Sequence, residues 1–115
     1  MWKSIPVALM FASACASHPA PTDHLASAIA ATRGAQEAGA AAVPKAALQL
    51  KLAEEGVARA RKLMENGDNE RADFMTLRAY NDAELAIALA REDAARKRAQ
   101  QAMETAAATE VERPE

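Results

Sequence analysis

One cysteine, two histidines and a scatter of carboxylates are the reactive side chains of this 115-residue chain. Cys15, His18 and His24 fall close together. Thiolate and imidazole are zinc ligands, but their spacing here fits no common zinc site, so no metal is expected. Both histidines lie in or beside the proline-containing stretch "ASHPAPTD", residues 16–23, and are expected to be solvated. No Ser-His-Asp arrangement suggests itself around them. Gly34, Gly39, Gly56 and Gly67 are all isolated, which excludes a Gly-rich phosphate loop. Asp82 and Glu84 do not share a helix face. Asp82 borders a stripe of alanines, where a hydrogen bond that sets helix register is expected rather than catalysis. No enzyme, no cofactor and no small-molecule substrate is expected.

The lone Cys15 gains meaning from the residues before it. "MWKSIPVALMFASA" opens with Lys3, continues as a compact apolar run from Ile5 to Phe11, and closes on Ala12, Ser13 and Ala14. That is the layout of a secretory signal peptide, too short to span a bilayer. "ASAC" resembles a bacterial lipobox, in which small residues precede a Cys that becomes the first residue of the mature protein. The resemblance implies cleavage between Ala14 and Cys15 and acylation of Cys15, with several acyl chains giving a stable membrane anchor. Ala12 stands where Leu is usual. Ala12 and Ala14 also suit ordinary signal peptidase, which would leave a plainly secreted soluble protein with an unpaired thiol. Loss of residues 1–14 takes away Lys3 and no acid, leaving a net charge of about −3. No Asp stands directly after Cys15, which favours the outer membrane over the inner.

Composition limits the kind of domain such an anchor could carry. There are 32 alanines, and the only aromatics are Trp2, Phe11, Phe74 and Tyr80. Such a chain cannot build a thick aromatic core, but Ala, Leu, Glu, Lys, Arg, Gln and Met are the best helix formers. β-Branched residues are few, so strands are not expected. The mild net charge of −2 argues against a dedicated nucleic-acid binder. The run Arg96-Lys97-Arg98 reads as a solvated helix face because acids sit one turn away.

Periodicity then divides the chain. Residues 15–22 read as an extended tether after the Cys, stiffened where proline fixes φ. Thr22 or Asp23 can cap a first helix. Its apolar rhythm is Leu25, Ala28, Thr32, Ala35, Gly39, Ala42, and "GAAAVP" interrupts it. Val43 is biased away from helical angles by the adjoining Pro44, which itself suits the first position of a second helix. That second helix carries the clearest seam in the chain: Ala46, Leu50, Ala53, Val57, Ala60 and Met64, spaced alternately by four and three as in a heptad. "MENGDNE" ends it, with Gly67 as a left-handed cap and Asp68 or Asn69 as a new start. So short a turn makes the flanking helices antiparallel. The last helix is expected from about Asn69 to Ala108, with Ala72, Met75, Ala79, Ala83, Ala86 and Ala90 facing inward. Acid–base pairs four apart, Glu55 with Arg59, Glu92 with Arg96 and Asp93 with Lys97, should each add tenths of a kcal/mol on the outside.

The lengths do not match. The last helix would run roughly 60 Å and the second about 34 Å. The first helix either continues coaxially past a kink at Pro44 or folds back as a third member of a bundle. The three-and-four rhythm, kept from Leu25 to Met64 with one extra gap of four between Ala46 and Leu50, favours the kinked hairpin. Leu48, Leu52, Phe74, Leu77 and Leu85 lie off the seam and require cover from a third helix or a second molecule. The expected fold is therefore all-α: a long antiparallel helical hairpin, coiled-coil-like and Ala-rich, with an additional N-terminal helix broken or kinked near Pro44. The helical domain is placed at residues 23–109 and a frayed tail at 110–115.

"VPKAALQLKLAEEGVARARKLMENGD" and, further on, "LRAYNDAELAIALAR" resemble a bacterial envelope family known as domain of unknown function 4398. The matching positions are Pro44, Leu48, Ala53, Ala60, Gly67, Asp68, Leu77, Ala79, Asp82, Ala83, Leu85 and Ala86, with Val43 where Ala is usual. The resemblance covers roughly residues 22–100. It implies a small lipoprotein, or a module ahead of a peptidoglycan-binding OmpA-like domain; cell-wall binding is not carried over, and there are no catalytic residues to transfer. The function expected is that of an envelope lipoprotein facing the periplasm. Acyl chains on Cys15 would hold it to the outer membrane. Its helical domain would serve as a structural or adaptor element that binds itself or an envelope partner. The alternative is a periplasmic chaperone or carrier that clasps apolar ligands or clients between its helices.

Overall fold

The computed structural model describes residues 17–113, and every regular element among them is helical. Helix α1 spans Thr22–Glu37, α2 spans Pro44–Glu65 and α3 spans Asn69–Val111, with a single 3₁₀ turn at Ala40–Ala42 between the first two. Ala14 and Cys15, with the rest of the leader segment, lie outside the described residues.

The helix ends reflect the local chemistry of the chain. At the α2 C-terminus Gly67 takes φ 76°, a left-handed conformation that costs a glycine little. The Asp68 N–H donates to the Leu63 carbonyl at 2.9 Å and the Gly67 N–H to the Met64 carbonyl at 3.0 Å. These two bonds make a Schellman cap and reverse the chain into α3. Val43 is extended (φ −110°, ψ 112°) and Pro44 opens α2. There its missing N–H costs nothing, because the first helical amides have no intrahelical acceptor. The expected side-chain caps do not form. Pro21 precedes α1 with no capping hydrogen bond, and the Asp68 carboxylate turns to the Arg71 guanidinium at 3.1 Å.

α1 does not continue coaxially into α2. Gly39 adopts φ 78° and the 3₁₀ turn completes a reversal before Pro44. Packing shows the outcome. Ala28 clusters with Val57 and Ala79, Ala31 with Ala53 and Ala83, and Ala35 with Ala46, Leu50, Ala86 and Ala90. Partner numbers fall along α2 and rise along α3, so α1 lies antiparallel to α2 and parallel to α3. The antiparallel hairpin α2–α3 is present, with the N-terminal helix broken off just before Pro44 and folded back against it. The three-and-four rhythm, with its one extra gap of four between Ala46 and Leu50, did not distinguish these cases, because α1 and α2 each carry a seam of their own.

Alanine makes this core. Among the described residues, twelve of the fourteen buried apolar side chains are alanines, and Thr76 is the largest side chain that is fully buried. Small side chains let helix backbones approach closely. At Gly56 an added Cβ would stand 2.8 Å from the Ala79 Cβ, closer than at any other glycine. Gly34 is less constrained: a Cβ there would meet only the Ile87 Cδ1, at 3.3 Å.

The two glycines should therefore respond oppositely to alanine. Gly56→Ala forces α2 and α3 apart and is expected to destabilise the fold by about 1–3 kcal/mol, the usual cost of overpacking. Gly34→Ala displaces one flexible methyl and gains up to about 1 kcal/mol of helix propensity. Urea unfolding monitored by far-ultraviolet circular dichroism measures both. Equal effects of the two substitutions would contradict the close approach at Gly56.

Candidate functional site

Helix packing buries most of the predicted seam. Ala46, Leu50, Ala53, Val57 and Ala60 of α2 are buried, as are Ala72, Ala79, Ala83, Ala86 and Ala90 of α3. Met64 and Met75 are only half-buried. The fully buried residue beside Met75 is Thr76, whose hydroxyl donates to the Asp73 carbonyl at 2.7 Å. Thr32 of α1 does the same to the Ala28 carbonyl at 2.8 Å. Each hydroxyl thus spends its hydrogen on its own helix. A stripe read only for apolar residues misses Thr76 and takes Met75 in its place.

Two polar links tie different elements together at one end of the bundle. His24 of α1 and Asp73 of α3 form a hydrogen-bonded ion pair, imidazole Nδ1 to carboxylate Oδ1. At the same end the Asn69 side-chain amide donates to the His18 carbonyl at 2.8 Å, and Pro21 is buried. The stretch read as a free tether is thus docked, from His18 onward, against the beginning of α3. Farther along, the Gln36 amide donates to Glu54 at 2.8 Å and links α1 to α2. None of these cross-helix bonds has a sequence signature, since each joins residues from different elements.

Asp82 lies on an open groove between α2 and α3 with Leu52, Glu55, Gly56, Arg59 and Met75. Its carboxylate stands 4.0 Å from the Arg78 guanidinium one turn back. The expected register-setting bond across helices is replaced by this pair within α3. Glu92 with Arg96, at 2.5 Å, and Asp93 with Lys97, at 2.7 Å, pair as the spacing predicts, whereas Glu55 meets Lys51 at 3.9 Å instead of Arg59. These pairs are exposed and contribute little. No group of three or more metal-ligating side chains converges among the described residues.

Of the off-seam apolar residues, Leu52 is half-buried and the other four stay exposed. Phe74 is 71 % exposed, Leu77 58 %, Leu48 58 % and Leu85 46 %. α1 borders only Leu77, which shares an open groove with His24 and Ser27, and leaves it largely exposed. Beyond Ala90, α3 outruns both other helices, and from Ala95 to Arg113 every residue is exposed. No helix among the described residues is long and apolar enough to cross a membrane.

The His24–Asp73 pair makes a pH prediction. The hydrogen bond and the charge of Asp73 raise the His24 pKa above its ordinary 6.5. A group raised on folding stabilises fully below its unfolded pKa, and the contribution fades as pH rises through the folded pKa. The His24 ring protons, monitored by NMR, should titrate above 6.5, and Asp73→Asn should return the midpoint toward that value. An unchanged midpoint in the variant would show that the pair does not form.

No curated protein and no solved structure matches the chain at a significant level. Residues 23–110, however, match a sequence family described as a domain of unknown function, DUF4398, and the matched span takes in all but the edges of the three-helix unit. The chain therefore belongs to the DUF4398 family.

Proposed function

We propose that this protein is a lipid-anchored component of a bacterial cell envelope whose helical bundle is a structural or adaptor element. The observation that carries the reading is the lone Cys15 directly after an apolar run and three small residues. Acylation at Cys15 would hold the bundle to the outer membrane, facing the periplasm, with no catalytic step assigned to it. The character of the bundle supports an adaptor. Its helices meet through alanines that are 0–8 % exposed, so the space between them is filled, and its binding capacity lies on outer surfaces. The same packing speaks against a carrier that clasps ligands between its helices, since drug-sized ligands need a concave, largely preformed site.

The test is intact mass together with membrane fractionation, for the wild type and Cys15→Ser. The reading predicts loss of residues 1–14, a mass increase matching acyl chains, and a protein found with the outer membrane. Cys15→Ser should lose the acyl mass and the membrane association together. A mature wild-type chain of unmodified mass in the soluble periplasmic fraction would establish plain secretion instead.

A further inference from the structure

Membrane attachment at Cys15, on which this inference rests, has a geometric consequence. Cys15 lies three residues before His18, and three residues span at most about 10 Å. His18 is tied to Asn69 by the 2.8 Å hydrogen bond, and Pro21 is buried against the bundle. The acyl chains therefore cannot sit far from the end of the bundle where α2 turns into α3. Phe74 lies five residues along α3 from Asn69, a rise of about 8 Å. It is 71 % exposed, and Leu77, one turn further on, is 58 % exposed. These two apolar side chains stand next to the tether on a chain whose other helix contacts are filled by alanine.

We infer that the Phe74–Leu77 face is a membrane-contact surface, seated in the interfacial region of the bilayer beside the acylated Cys15. The occupant is lipid because the tether brings this face to the bilayer and a phenyl ring gains by leaving water. The surrounding charges are mixed: Arg59 and Arg71 share the groove with Glu70 and Asp73. The contact is therefore apolar and does not require anionic lipid. Attachment at the α2–α3 turn end means that the bundle stands on that end, and this sets the position of the far end of α3. Met103 is 29 residues beyond Phe74, about 44 Å along the axis. The C-terminal arm of α3 points away from the membrane and offers its exposed surface to the periplasm.

The experiment uses the full chain, purified in its processed form and reconstituted into phosphatidylcholine vesicles, in a Trp2→Phe background. Single tryptophans are placed by Phe74→Trp, Leu77→Trp or Met103→Trp, all at exposed positions. Intact mass is recorded for each. The expected result is blue-shifted emission and strong quenching by acyl-brominated lipid at positions 74 and 77, insensitive to added salt. Emission at 103 should stay as in water and unquenched. If the chain carries acyl chains and floats with the vesicles but tryptophans at 74 and 77 stay unquenched, this inference falls and the anchor stands. If the processed chain carries no acyl chain, the anchor and this inference fall together.

Discussion

Close approach of α2 and α3 at Gly56 and Ala79 is the constraint on which the rest of the structure depends. Without a side chain at 56, the second helix lies within van der Waals reach of Ala79, and the alanines above and below can then meet their partners. Burying one methyl yields little compared with burying a leucine. Stability must be collected over many contacts along the rod, helped by the high helix propensity of alanine itself. A core built this way is thin, and the hollows beside it among the described residues are open grooves on its surface. The larger apolar side chains Leu48, Phe74, Leu77 and Leu85 are left on the outer surfaces.

The bundle is polar in the geometric sense. One end gathers the α2–α3 turn, the docked stretch from His18 to Pro21, and the His24–Asp73 and Asn69–His18 links. The other end is the reversal around Gly39, past which α3 continues alone. If the chain is tethered at the first end, as proposed, the bare helix projecting from the second suits it to separating two contacts. Under the proposed function, one contact would be with the bilayer and the other with a partner in the periplasm.

Much of this architecture was legible in the sequence. Pro44 and Gly67 mark helix boundaries through backbone restrictions that act locally, and the α2 seam emerges from alternating gaps of four and three. The orientation of α1 was not legible, because its rhythm fits a coaxial helix and a returning one equally well; Gly39, in its left-handed conformation, decides between them. Thr76 was missed because its buried hydroxyl is satisfied by its own helix, which no hydropathy reading credits. Gly56 reads as a weak point in a helix until the position of Ala79 is known. Cross-helix pairs such as His24–Asp73 depend on the full arrangement and have no local signal. Cys15 is the reverse case: its significance lies entirely in sequence, and it falls outside the described residues.

If packing on the alanine seam, rather than propensity alone, holds these helices, protection must end where the seam ends. Amide hydrogen exchange along α3 of the full chain tests this most directly. The account predicts slow exchange from Ala72 to Ala90, where the helix is packed, and exchange orders of magnitude faster from Ala95 to Val111, where one uncovered helix can open locally. Uniform protection along the whole of α3 would contradict it.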